Sequence, residues 1–177
     1  ILETQECDPA SILALTFTKK AASEMKERIA LMVGERKARR LYMGTFHSVF
    51  SRILRIEAES IGYSPQFTIY DESDSRSLLK TIVKEMELDE KIYKSAEVHK
   101  RISLAKNRIE KPVDYERSEA YCSYDSASGM EKMPEIYARY QARLHQANAM
   151  DFDDILLYTY ILLYKNVELQ RKYGERF

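Results

Sequence analysis

Apolar positions recur with two different periods along this chain, and the alternation between them predicts its elements. Residues 11–17, SILALTF, form a short unbroken apolar run that ends on hydroxyls, the pattern of a strand buried on both faces. From about Lys20 the period becomes helical. Ala22, Met25, Ile29, Met32 and Val33 fall on one face, and Gly34 is the expected stop. RLYMGTF (40–46) reads as a second strand. A helix over about 47–60 then carries Val49, Phe50, Ile53, Leu54 and Ile56 inward before Gly62. Strand, helix, strand, helix is the grammar of an α/β fold, of which only a part is present here.

Beyond Gly62 the helical period dominates. QFTIY (66–70) reads as a short extended piece, and Asp71 is expected to cap a helix with Leu78, Leu79, Ile82, Val83 and Met86 on its inner face. A helix over about 95–109 is expected to turn Val98, Ile102, Ala105 and Ile109 inward, with Lys100, Arg101, Lys106 and Arg108 largely outward. Residues 110–129, EKPVDYERSEAYCSYDSASG, read as a long polar loop bounded by Pro112 and Gly129. A helix around Ile136, Tyr137, Tyr140 and Leu144 follows, then a strongly apolar one in DFDDILLYTYILLYKN (151–166). There is no internal repeat and no low-complexity tract. The expected fold is mainly α with a small α/β remnant: an all-helical middle between two ends that look like parts of something else.

Composition narrows the class. With 177 residues, 45% hydrophobic and 32% charged, the chain suits one globular domain, with or without an insertion. No run approaches the ~18 apolar residues of a membrane span, so no membrane partner is expected and the location is read as cytoplasmic. The opening ILETQECDPAS has no initiator Met, basic leader or cleavage pattern, and the chain is expected to begin inside a longer protein. Cys7 and Cys122 are far apart and outside any CxxC pair, which suits inert thiols in a reducing compartment better than a disulfide. His47, His99 and His145 are equally scattered and give no zinc spacing.

The formal net charge is zero, but its distribution is uneven. Residues 18–55 hold ten Lys/Arg against three carboxylates, and the rest of the chain is acidic to the same extent. Such asymmetry signals either an anionic partner or a solvated basic helix face, and composition does not choose between them.

Two turns carry the candidate chemistry. In TFTKKAASEMKERI (16–29), Thr18 stands where an N-cap belongs, free N–H groups of the first helical turn point the same way, and Lys19 and Lys20 add charge. That arrangement binds a phosphate well. Phe17 offers a face for a base, with stacking worth roughly 1–3 kcal/mol in single-strand binders. The bland alternative is a plain cap with Phe17 in the core. GTFHSVFSRILR (44–55) repeats the pattern, with Gly44 for close backbone approach, hydroxyls on Thr45 and Ser48, a ring donor on His47, and Arg52 and Arg55 on the following helix. Side by side at the carboxyl edge of a parallel sheet, the two turns would form a track for a phosphate backbone. Asp151 and Asp154 of DFDD have two readings, a metal-binding pair or first-turn capping carboxylates. The thirteen tyrosines, among them Tyr137, Tyr140, Tyr158, Tyr160 and Tyr164 at helical spacing, read as packing rather than as a stacking surface.

LALTFTKKAASEMKERI and GTFHSVFSRILR closely resemble the Ia and Ib motifs of superfamily 1 DNA helicases of the UvrD/Rep/PcrA type. The likeness continues through FTIYDESDSRSLLKTIVKEMELDE, RISLAKNRI and ANAMDFDDILLYTYILL, and so covers nearly the whole chain. The resemblance implies part of a RecA-like P-loop NTPase motor domain at residues 1–50 and 151–177, around a helical inserted subdomain at 51–150. It also implies a parent that moves 3′ to 5′ on single-stranded DNA and unwinds duplex with ATP and Mg²⁺, a role in DNA repair, and single-stranded and junction DNA as partners. Carried over by position, Thr16, Phe17, Thr18 and Lys19 would line the strand path, with Phe17 near a base and Thr18 near a phosphate. Lys19 stands where the family usually has Asn. Gly44, Thr45, Phe46, His47 and Ser48 would form the second contact turn, with Arg52 beyond it, and DFDD would mark the return from the insertion.

Two pieces of ATPase machinery are not found. None of the five glycines opens a GxxxxGK[ST] loop, and no apolar strand ends in Asp-Glu. In the family the first precedes the stretches seen here and the second follows a segment like KYGERF. The chain is therefore expected to lie between them and to be inactive on ATP by itself, with no bound cofactor. The rival readings are the helicase part of a recombination nuclease-helicase and a non-catalytic helical interaction module.

Overall fold

The computed structural model describes residues 8–177. Cys7 lies outside them, while Cys122 is an exposed free thiol. The chain divides into two compact units, one formed by residues up to Ile61 together with Tyr158–Phe177, the other by Gly62–Leu157. The expected limits were 50 and 150.

The first unit begins with β1 (Leu13–Thr16), α1 (Lys19–Val33), a short α2 (Glu35–Ala38), β2 (Tyr42–Thr45) and α3 (Phe46–Ile56). β1 and β2 pair in parallel, with Leu13 opposite Tyr42 and Thr16 opposite Thr45. α1 ends where Gly34 takes a φ of +82°, which a side chain would resist. The apolar faces are narrower than the period suggested. Ala22, Val49, Ile53 and Leu54 are buried, but Met32 and Ile56 lie mostly in solvent. α3 stops at Ile56, and a 3₁₀ turn at Ala58–Ile61 takes the rest of the expected helix.

The second unit is helical apart from two strands. Its elements are β3 (Thr68–Tyr70), α4 (Glu72–Glu85), α5 (Ser95–Asn107), α6 (Pro112–Arg117), α7 (Glu119–Ala127), α8 (Met133–Gln146) and β4 (Ala149–Asp151). β4 pairs in parallel with β3, Thr68 opposite Ala149. Asp71 caps α4 as expected, in a reciprocal box with Asp74 (2.8 and 3.1 Å). Leu79, Ile82 and Val83 of α4, Val98 and Ile102 of α5, and Ile136, Tyr137 and Tyr140 of α8 form one continuous core.

Three expectations fail in this unit. The stretch 110–129 is not a loop but α6 and α7. Pro112 at the first turn and Ser118 as N-cap start the two helices. Their inner faces are tyrosines, Tyr115 and Tyr121, whose rings stack at 4.3 Å, with the Tyr115 hydroxyl donating to Asp125 at 2.9 Å. A tyrosine with a hydroxyl partner is a core residue that reads as polar. Arg101 and Lys106 point inward rather than outward, because buried carboxylates await them: Asp125 for Arg101, Asp151 and Asp154 for Lys106. Ile109 is half exposed, since α5 has already ended at Asn107 and Ile109 sits at φ +64°.

α9 (Phe152–Lys165) and α10 (Val167–Arg176) end the chain. In the first unit α10 is tied to the end of α3: Glu57 accepts from Lys172 Nζ at 2.6 Å and from the Tyr173 hydroxyl at 2.7 Å. Ile155, Leu157 and Leu162 of α9 are buried, whereas Tyr160 and Tyr164 stack on each other at 5.4 Å, the first half exposed and the second mostly in water. Tyr137 and Tyr140 are core residues, as their spacing suggested.

Candidate nucleic-acid interface

Thr16 and Thr45 are the last residues of two parallel strands held in register, so the two turns named from the sequence leave the same edge of the sheet side by side. Each turn runs directly into a helix, and each helix is capped by the threonine that precedes it. Thr18 Oγ1 accepts from Ala21 N at 3.1 Å, and Thr45 Oγ1 accepts from Ser48 N at 3.2 Å. The capping function is thus filled at both places. It leaves the N–H groups of Lys19 and Lys20, the first two residues of α1, without intrahelical acceptors.

Phe17 is not in the core. It is 87% exposed, and its ring centroid lies 5.1 Å from that of Phe46, which is half buried. Phe46 in turn meets Phe50 edge-on at 5.8 Å. An aromatic ladder therefore climbs from the α3 face into solvent, and its outermost ring has a free face. Lys19 and Lys20 are exposed beside it and form no ion pair among the described residues. His47 is half buried on the first turn of α3.

Gly44 serves the approach of α3 to its own strand. It is buried, and a Cβ there would collide with Ser48 Oγ, which is fixed by donating to Thr45 O at 2.8 Å. Arg52 is exposed, but its guanidinium lies over the Tyr42 ring at 4.2 Å, with Arg176 on the same ring at 4.5 Å. Tyr42 is the first residue of β2 and Thr45 the last. Thr16, Phe17, Thr18, Lys19, Gly44, Thr45, Phe46, His47 and Ser48 thus lie on the two adjacent turns, while Arg52 is directed to the other end of β2.

A second polar constellation lies in the helical unit, where Lys106 of α5 meets the two DFDD carboxylates. Lys106 is fully buried, with Nζ 2.7 Å from Asp151 Oδ2 and 2.8 Å from Asp154 Oδ1. The Tyr140 hydroxyl donates to Asp151 at 2.8 Å, and Gln141 Nε2 donates to Asp154 at 3.2 Å. Asp151 also caps α9, accepting from Asp154 N at 2.8 Å. The DFDD carboxylates are therefore cap and counter-ion together. Burial and the neighbouring Asp151 charge push Asp154 up to about 6 despite Lys106. Against the same burial, Lys106 and the hydrogen bonds hold Asp151 below the usual carboxylate range. The signal for this site was in the sequence only as a lysine on the apolar side of α5, four residues after Ile102.

The family model of the UvrD/REP helicase N-terminal domain matches residues 1–177. The chain is 38% identical over 169 residues to a protein of Leuconostoc citreum named ATP-dependent DNA helicase PcrA, covering 96% of this chain and 22% of that protein. It is 41% identical over 169 residues to ATP-dependent DNA helicase UvrD1 of Mycobacterium leprae, covering 95% and 21%. With ATP-dependent DNA helicase PcrA of Staphylococcus aureus the identity is 36% over 177 residues, covering 100% and 23%. The chain thus spans about a fifth of the length of these relatives. With two capped turns on one sheet edge and a match over its full length, the chain belongs to the family of UvrD/REP helicase N-terminal domains.

Proposed function

We propose that this chain is the single-strand-contacting part of the first, RecA-like motor domain of an ATP-dependent DNA helicase that moves 3′ to 5′. The observation that carries the proposal is Phe17, an aromatic ring standing in water beside Phe46 at the mouth of two capped helices. A soluble domain gains nothing in stability from such a ring, whereas a DNA base can stack on it. In this reading Phe17 and Phe46 hold bases. The N–H groups and ammonium groups of Lys19 and Lys20, with the hydroxyls of Thr16, Thr18, Thr45 and Ser48, hold phosphates. Gly44 and His47 shape the second turn, and Arg52 contributes charge from a distance. The unit Gly62–Leu157 faces duplex near the single-strand junction. The names of the relatives support ATP as fuel, and Mg²⁺ and a cytoplasmic DNA-repair setting follow from that reading.

The residues present do not fit a nucleotide. Gly34, Gly44, Gly62, Gly129 and Gly174 open no phosphate loop, so no step of ATP chemistry is assigned to this chain. The purified chain is expected to release no phosphate from ATP, with or without DNA.

The test is anisotropy of labelled single-stranded DNA titrated with the chain at several salt concentrations. Log K should fall against log[salt] with a slope of about −0.7 per phosphate contact. Phe17→Ala should weaken binding by roughly 1–3 kcal/mol with an unchanged thermal melt. Absent or salt-insensitive binding would make the chain an interaction module instead.

A further inference from the structure

The aromatic ladder has a third rung outside the two turns. Phe50 lies one helical turn beyond Phe46 on α3, and its ring meets that of Phe46 at 5.8 Å with the two planes 75° apart. Side chains on a helix lean toward its N-terminus, so the residue at i+4 covers the residue at i. Phe50 is thereby laid over Phe46. The next residue of the same row is Leu54, which is fully buried. Exposure thus rises step by step from the core: Leu54 buried, Phe50 and Phe46 half buried, Phe17 87% exposed. Val49, Ile53 and Leu54 already close the core side of α3, and Phe50 stands beside that seam.

We propose that Phe50 is a positioning residue for the base-stacking platform: it touches no DNA, fixes the plane of Phe46, and through Phe46 holds Phe17 at the angle a base meets. The inference rests on the reading that Phe17 stacks a base. A phenylalanine ring in water turns freely about its second side-chain torsion, which has no sharp minima. Ordering such a ring on binding costs affinity, and a ring held beforehand loses less. Phe46 can hold Phe17, 5.1 Å away and tilted by 38°, only if its own ring is fixed. The edge of Phe50 fixes it, because a ring edge carries positive and a ring face negative partial charge, and the pair prefers to cross. Leucine fills much of the same space without that preference, so Phe50→Leu keeps the packing and loses the angle.

The experiment titrates the full chain into two labelled single strands of equal length at low salt. One carries ordinary nucleotides; the other is abasic, with the same phosphates and no bases. Phe50→Leu should weaken binding to the first by about threefold to tenfold, the scale of one aromatic pair. It should leave the affinity and the salt slope on the abasic strand unchanged. Phe17→Ala should likewise lose affinity on the base-bearing strand alone. Added to Phe17→Ala, Phe50→Leu should cost less than it does in the wild type, because the two act through one ring. Circular dichroism melts should show that all three variants fold. The proposal is overturned if Phe17→Ala weakens binding to the base-bearing strand and Phe50→Leu does not. It is also overturned if the abasic strand loses as much affinity, which would mean general damage to the turn, or if the two losses simply add. Phe17→Ala without effect on either strand would remove the stacking reading itself, and this inference with it.

Discussion

Gly44 makes the clearest case of a single atom deciding local structure. The first turn of α3 folds back so closely on the end of β2 that a methyl group at Gly44 would occupy the place of Ser48 Oγ. Gly44→Ala is therefore expected to cost about 1–3 kcal/mol, the ordinary range for overpacking, read as a lower midpoint in urea unfolding. Adding Ser48→Ala should restore part of that loss, because it removes the colliding oxygen; a double variant no better than Gly44→Ala would show that the collision is not the cause. Phe17 obeys the opposite logic. It touches little besides Phe46, so its replacement should leave stability alone and change only what binds. The glycine was legible in the sequence as a point of close approach. That its neighbour would be a serine of the following helix was not, since only the path of α3 brings the two together.

At the level of elements, the junction of β4 and α9 depends on a lysine from α5. Lys106→Met would leave Asp151 and Asp154 buried without their counter-ion, and loss of one partner of a buried pair costs about 3–5 kcal/mol. Chemical denaturation should show that loss, and it should shrink when Asp151→Asn and Asp154→Asn are added. The pair also predicts a pH effect of defined sign. Because Asp154 is raised to about 6 in the folded state, the native protein holds that proton more tightly than the unfolded chain. Its contribution is fully present below the ordinary Asp range near 4 and is lost as pH rises through about 6. Asp151, held low, contributes above the ordinary range and loses its contribution only in stronger acid. Between pH 4 and 6, wild type should therefore lose stability relative to Asp154→Asn. Parallel curves for the two proteins would refute the assignment. The sequence showed DFDD as a start of a helix, and it is one; what it did not show was that α5, α8 and β4 would converge on it.

On the scale of the whole molecule, the chain is two compact units, and a single unfolding transition is not the expectation for such an arrangement. Glu57→Ala removes the acceptor shared by Lys172 and Tyr173 in the first unit, while Lys106→Met disturbs the second. Hydrogen exchange should rise chiefly within residues 8–61 and 158–177 for the former and within 62–157 for the latter; a uniform rise for either would mean that the units open together. That Thr45 caps α3 came from the structure, but the sequence by itself determined where strands give way to helices, the caps at Thr18 and Asp71, and the two turns on which the candidate contacts lie. These are local matters, set by period, by hydroxyls placed before helices, and by glycine. Tertiary structure alone decided that Arg101 and Lys106 are core residues, that the tyrosine-rich stretch 110–129 is two helices, and that Arg52 lies over the Tyr42 ring rather than at the two turns. A charged or hydroxylated side chain reads as surface until a partner from a distant segment meets it. That meeting depends on burial and pairing across the fold, which no local window of the chain contains.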